Sequence, residues 1–293
     1  MKRVWLLAFT ALLTTTSTAR AFCRSTTAKP TREELESGAC VKRGVPTFWR
    51  ERTLSYSFQS ELGSSDMSAA RVQDVFRRAF AAWHRTECDG EPFVVTASVS
   101  DATEKTASHV LGRDNVNAIM FQTARRWEEL DYDPVAFALT TSWYEPDTGE
   151  IFGSDMELNE GRGPYTECPD EGCDATARLT DLANVVTHEA GHFLGLSHSG
   201  DFDATMFYRA EPGQVDKREL GADDLRGLCE IQEEDHAIEP TTLAPGPDPG
   251  CSVAPHAHCE PGWLMLVAFS LAARFGARRR SRDSLRLRTP PAP

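Results

Sequence analysis

The stretch Val186-Thr187-His188-Glu189-Ala190-Gly191-His192-Phe193-Leu194-Gly195-Leu196-Ser197-His198 decides how this chain is read. On a helix, side chains four apart share a face, so His188 and His192 can offer two imidazole nitrogens to one ion. Gly195 reaches a positive φ at little steric cost, which ends the helix and turns the chain. That turn brings His198 back as a third donor. Three protein ligands leave the fourth tetrahedral position to water, the arrangement of a catalytic rather than a structural zinc site. Zinc lowers the pKa of such a water to about 7. Glu189, beside the first ligand but off the metal, is placed to take its proton. The whole pattern arises by chance in on the order of 10⁻⁵ of chains this long.

Around this stretch, strands and helices alternate. Residues 53–58 put Leu54, Tyr56 and Phe58 on one face, as a half-buried strand does. Val72, Val75, Phe76, Phe80 and Trp83 recur at helical spacing and predict a helix over 68–83. Further strands are expected at 93–99 and 117–122. The turn Pro146-Asp147-Thr148-Gly149 joins 137–144 to 150–159 as a hairpin. Thr180 and Asp181 are suitable N-caps for the helix that carries the histidines. A last helix is expected from Ala222-Asp223-Asp224 to about residue 232, its acidic pair suiting the positive end of the dipole. This mixture reads as α+β or α/β with a central sheet.

The pattern His-Glu-x-x-His-x-x-Gly-x-x-His, followed by a methionine turn, is the metzincin signature. With Ser199 directly after the third histidine and Met206 in Ala204-Thr205-Met206-Phe207-Tyr208, the chain resembles the matrixins. The last helix, Leu220-Gly221-Ala222-Asp223-Asp224-Leu225, is also similar to theirs. The resemblance extends over about residues 45–232. It implies a zincin-like α+β fold: a twisted, mostly parallel sheet with an antiparallel edge strand, an active-site helix packed on it, and a small C-terminal subdomain with one helix. It further implies one catalytic Zn2+ on His188, His192 and His198, with Glu189 as base and Met206 packed beneath the metal. By the same analogy, residues 150–159 form the edge that pairs with an extended peptide substrate, and a pocket near Met206 accepts an apolar side chain.

The chain departs from the matrixins in three places. Val41-Lys42-Arg43-Gly44-Val45-Pro46 only faintly echoes their cysteine switch, and Cys40 lies outside it. Only His84 and His109 precede His188, so the second, structural zinc of animal matrixins is not expected. Tyr208 stands where matrixins usually carry proline. Met-x-Tyr resembles astacins and serralysins, which makes Tyr208 a possible transition-state stabiliser. Carboxylates at Asp147, Glu150, Asp155 and Glu157 could suit Ca2+, but a solvated acidic face is the simpler reading and no site is assigned.

The ends of the chain read as targeting segments. Lys2 and Arg3, an apolar run to Leu13 and Ala19-Arg20-Ala21 form a signal peptide over 1–21, with a mature start at Phe22. A segment 22–44 precedes the catalytic domain at 45–235. Residues 236–250 have the Pro-, Thr-, Ala- and Gly-rich composition of a linker. Residues 251–293 hold a short apolar run ending in an arginine cluster. Eleven apolar residues rise only about 16 Å as a helix, too short to span a bilayer. Gly250-Cys251-Ser252 with this tail resembles the myxobacterial C-terminal sorting domain. That implies removal of the tail, lipid attachment at Cys251 and a transient or lipid-mediated membrane association.

Between the basic ends, residues 22–273 carry 21 basic and 43 acidic side chains. Such a body is repelled by nucleic acid. Eight cysteines suit an oxidising compartment. Six precede the tail and allow 15 pairings; Cys23–Cys40, Cys88–Cys229 and Cys168–Cys173 make one set. The reading that absorbs these features is an exported or surface-tethered zinc endopeptidase acting on extended peptide or protein. The alternatives are a non-catalytic zinc-containing surface protein for adhesion or binding, and a zinc hydrolase of non-protein amides or esters.

Overall fold

The computed structural model describes residues 21–60, 67–110 and 115–233. The residues before Ala21 read as a signal peptide, and those read as linker and sorting tail with Cys251, lie outside the described residues. The described elements, in chain order, begin with α1 (Arg32–Ser37), β1 (Phe48–Trp49), β2 (Thr53–Phe58), α2 (Ala69–Ala82), β3 (Val94–Ala97) and β4 (Ala118–Gln122). There follow α3 (Ala124–Glu129), β5 (Ala138–Tyr144), β6 (Glu150–Asn159), a short parallel pair β7 (Tyr165–Thr166) and β8 (Thr180–Asp181), α4 (Leu182–Phe193) and α5 (Ala222–Glu233).

The main sheet runs β3-β2-β4-β6 with parallel neighbours, β1 is parallel to the start of β6, and β5 pairs with β6 antiparallel. This is the mostly parallel α+β sheet that the resemblance implies. One detail differs: residues 150–159 are not an edge. β6 is covered by β5 on one side and by β4 on the other, and nine of its ten residues are buried or half-buried. The edge is β5, which among the described residues pairs only with β6.

Helix α2 lies on the sheet through its predicted stripe, with Val72, Val75, Phe76 and Phe80 buried; Ser68 caps it by accepting from the Arg71 amide. Burying each such side chain contributes about 1.5–3 kcal/mol. Helix α4 packs against α2 and β5 and is buried over its whole length, so its orientation is set from all sides. Asp181 caps it by accepting from the Asn184 amide at 2.7 Å. Two indoles then fix it: Trp83 Nε1 donates to the Thr187 carbonyl at 2.8 Å, and Trp49 Nε1 to the Phe193 carbonyl at 2.7 Å. Both ring bodies sit in the core while their polar edges find partners.

Residues 22–44 are not a detached segment. The Ser25 amide donates to the Gly195 carbonyl at 2.9 Å, the Ser197 amide to the Cys23 carbonyl at 2.8 Å, and the Thr47 amide to the Ser25 carbonyl at 2.8 Å. Buried Arg24 donates to the Thr47 carbonyl at 2.9 Å. The stretch around Arg24 is thus bridged antiparallel to Leu196, on the loop that carries His198, and through Thr26 to Pro46. The cysteines pair as Cys23–Cys40, Cys88–Cys229 and Cys168–Cys173. No helix among the described residues is long and apolar enough to cross a membrane.

Candidate metal centre

His188 and His192, one turn apart on α4, present their rings side by side with centroids 4.9 Å apart. Gly195 then turns the chain at φ +100°, and its missing Cβ avoids the Thr47 carbonyl, which would lie 3.2 Å away. His198 arrives with its ring centroid 4.8 Å from that of His192 and 5.5 Å from that of His188. One nitrogen from each ring lies within 4.8 Å of the other two, and all three side chains are buried. No other cluster of three such groups occurs among the described residues.

Backbone acceptors orient two of the rings. The Thr205 carbonyl takes His188 Nδ1 at 2.6 Å, and the Leu196 carbonyl takes His192 Nδ1 at 2.9 Å. A carbonyl can only accept, so each Nδ1 carries the proton and each Nε2 presents its lone pair. Burial pushes all three histidines below their ordinary range, His192 to about 4, with Lys217 acting in the same direction on each and neighbouring histidines on His188 and His198. They stay neutral near pH 7, the form that ligates metal. Three neutral imidazoles converging in a buried site fit a zinc ion.

Glu189 is buried beside them. Burial raises its carboxyl to about 7, opposed by a hydrogen bond from Thr140 and by the charge of Lys217. Thr140, from the edge strand β5, donates its hydroxyl to Glu189 Oε2 at 2.7 Å.

Met206 is buried with a relative exposure of 1%, and it lies directly against Gly191 of α4. The turn that holds it is gripped by α5: Asp224 accepts from the Thr205 amide at 2.6 Å, the Met206 amide at 2.9 Å and the Gly221 amide at 2.8 Å. Its neighbour Asp223 accepts from the Ser199 hydroxyl at 2.6 Å. The acidic pair read as a helix-dipole feature thus also ties both chain segments after α4 to the last helix. Thr140 and Lys217 escaped the sequence reading, and Asp223 and Asp224 were read only as part of the last helix, because none stands at a motif spacing from the histidines.

Tyr208 is placed differently from its predicted role. Its ring covers Gly38, the left-handed cap of α1, and Arg209 lies over it at 4.9 Å. Among the described residues its hydroxyl makes no hydrogen bond. The carboxylates considered for calcium do not converge. Glu150 pairs with Arg50, Asp155 accepts the Ser108 and Ala118 amides, and Glu157 accepts from Gln122 and Tyr132. His84 bonds the Phe93 carbonyl, whereas His109 stacks on Trp143.

A cavity of about 280 Å³ opens beside the triad. Phe137, Ala138 and Val185 make an apolar wall, and Lys217 also lines the cavity. Burial lowers the Lys217 ammonium to about 8, against the opposing charges of Asp216, Glu189 and Asp224. Another cavity, of about 400 Å³, is lined by His192, Thr140 and Tyr144 together with Ser25 and Thr26 of the N-terminal segment.

Comparison with known proteins agrees with this geometry. The family model of the matrixins matches residues 48–233. The chain is 26% identical over 184 residues to Metalloendoproteinase 1-MMP of Arabidopsis thaliana, covering 62% of this chain and 44% of that protein. It is 28% identical over 185 residues to Matrix metalloproteinase-25 of Homo sapiens, covering 62% and 29%. To Metalloendoproteinase 1 of Glycine max it is 28% identical over 189 residues, covering 62% and 52%. The matching stretch therefore spans about half or less of each of these relatives.

Proposed function

The chain belongs to the matrixin family, and from that premise we propose that it is a zinc-dependent endopeptidase acting on extended peptide or protein chains. The observation that carries the proposal is the meeting of three buried, neutral imidazoles with one buried carboxylate held by Thr140. His188, His192 and His198 would hold the ion. When bound, zinc supplies Lewis acidity toward the scissile carbonyl and makes a water acidic enough to attack it.

The remaining steps belong to this chain's own residues. Glu189 Oε takes the proton from the attacking water and returns it to the leaving amine. Thr140 keeps that carboxylate in one orientation and favours its ionised form. The open side of β5 offers backbone groups to an extended peptide, which would lie antiparallel or parallel to the strand and across the triad. Met206, seated under α4 and clamped by Asp224, keeps the helix and the His198 loop in register. A part for Tyr208 in the transition state would require its ring to leave Gly38.

Three disulfides support action in an oxidising, extracytoplasmic setting. Surface attachment through Cys251 belongs to the same proposal, on sequence grounds alone. The test is digestion of casein by the purified protein with and without a chelator, beside the variant Glu189→Ala. Chelation should stop cleavage, and E189A should keep stoichiometric zinc by elemental analysis while losing activity. Absence of bound zinc, or full activity in E189A, would overturn the proposal.

A further inference from the structure

The cavity beside the triad shares His188 and Glu189 with the metal centre, so a side chain flanking the scissile bond would enter it. Its wall is apolar, but Lys217 reaches in from the chain before α5 with a relative exposure of only 3%. The Lys217 Nζ donates to the Phe207 carbonyl and lies 3.3 Å from His188 Nδ1. That nitrogen already donates its proton to Thr205, so it offers the ammonium no acceptor. One carbonyl therefore serves three N–H donors. No carboxylate lies within ion-pair distance of Lys217 among the described residues. Asp216, Glu189 and Asp224 act on it only from beyond contact; a buried cation with no anion in contact is costly to maintain, and an anion that can reach it is favoured.

We infer that this cavity is a specificity pocket for an acidic side chain, and that Lys217 recognises a glutamate or aspartate next to the bond being cut. The apolar wall accommodates the methylenes of the entering side chain, and its carboxylate meets the ammonium at the far end. A leucine would fill the same volume but leave the lysine with no anion in contact. A glutamine would match the shape and supply only a neutral acceptor. The inference rests on the endopeptidase reading and names the substrate class of that same site.

The test uses the zinc-loaded enzyme and matched peptides that differ only in carrying Glu, Gln or Leu at one of the two residues flanking the cleaved bond. At one of these positions Glu should exceed both Gln and Leu in kcat/KM by about tenfold or more, as a site built around a polar contact discriminates. Lys217→Met should remove this preference and favour Leu. Wild-type enzyme that cuts the Glu and Gln peptides equally, or prefers Leu at both positions, would overturn the inference and leave the endopeptidase reading intact. If no peptide is cut at all, that reading fails and the inference falls with it. The wild-type comparison alone decides the matter should K217M not fold.

Discussion

Replacing Thr140 by valine tests how the chain tunes its base. The substitution keeps the shape of a buried side chain, 3% exposed, and deletes only the hydroxyl that donates to Glu189 Oε2. A hydrogen bond to an ionised group contributes about 1.5–3 kcal/mol. At roughly 1.4 kcal/mol per pKa unit, its loss shifts the carboxyl by about one to two units. The sign follows from which form the bond stabilises. Thr140 favours the carboxylate and so holds down a pKa that burial raises to about 7; without it, Glu189 binds its proton more tightly. The base must be ionised to act, so the acid limb of the kcat/KM profile should move toward higher pH. A bound cation lowers the limb in both proteins, and the difference between them survives. The assay is hydrolysis of a quenched fluorescent peptide from about pH 4 to about pH 9, with zinc content checked at each end. On the acid side, T140V should be about ten- to a hundredfold slower, converging with wild type on the plateau. An unmoved limb, or one displaced to lower pH, would refute the reasoning.

Two further outcomes follow from the scaffold. In the loop-entropy description, a cross-link's contribution grows with the loop it closes. Cys88–Cys229 spans 141 residues and Cys168–Cys173 only 5, giving about 5 and about 2 kcal/mol. Denaturant unfolding of the two paired-serine variants should show the larger loss for C88S/C229S, and equal losses would contradict that account. Gly191→Ala should destabilise by about 1–3 kcal/mol through overpacking, since the new Cβ would strike Met206 Sδ and lie 2.7 Å from Trp83 Cζ2. The usual helix gain from alanine over glycine, about 1 kcal/mol, opposes this; a raised melting temperature would show that the methionine can simply move aside.

The histidines, Glu189 and Gly195 were legible because one helical turn and one glycine fix their relation within eleven residues. The hairpin and the helices α2, α4 and α5 were legible for the same local reason. Thr140 lies 49 positions from Glu189, and Lys217 lies 29 from His188. Their approach is decided by how β5 and the chain before α5 pack on α4, which no spacing reveals. Residues 150–159 were read as an edge by family analogy alone, and Asp155 and Glu157 were separately read as part of a solvated acidic face. Both are in fact buried and bonded inward. The six-residue helices α1 and α3 are too short to establish a period.

The bridged segment around Arg24 has a practical consequence. Relatedness to other matrixins begins at residue 48, yet the backbone partners of Gly195 and Ser197 come from Cys23 and Ser25. A gene trimmed to the region of family likeness would leave the loop bearing the third imidazole with bare amides and carbonyls, open to water or to another chain's edge. Ancestry and mechanical integrity thus draw the border of this domain some two dozen residues apart.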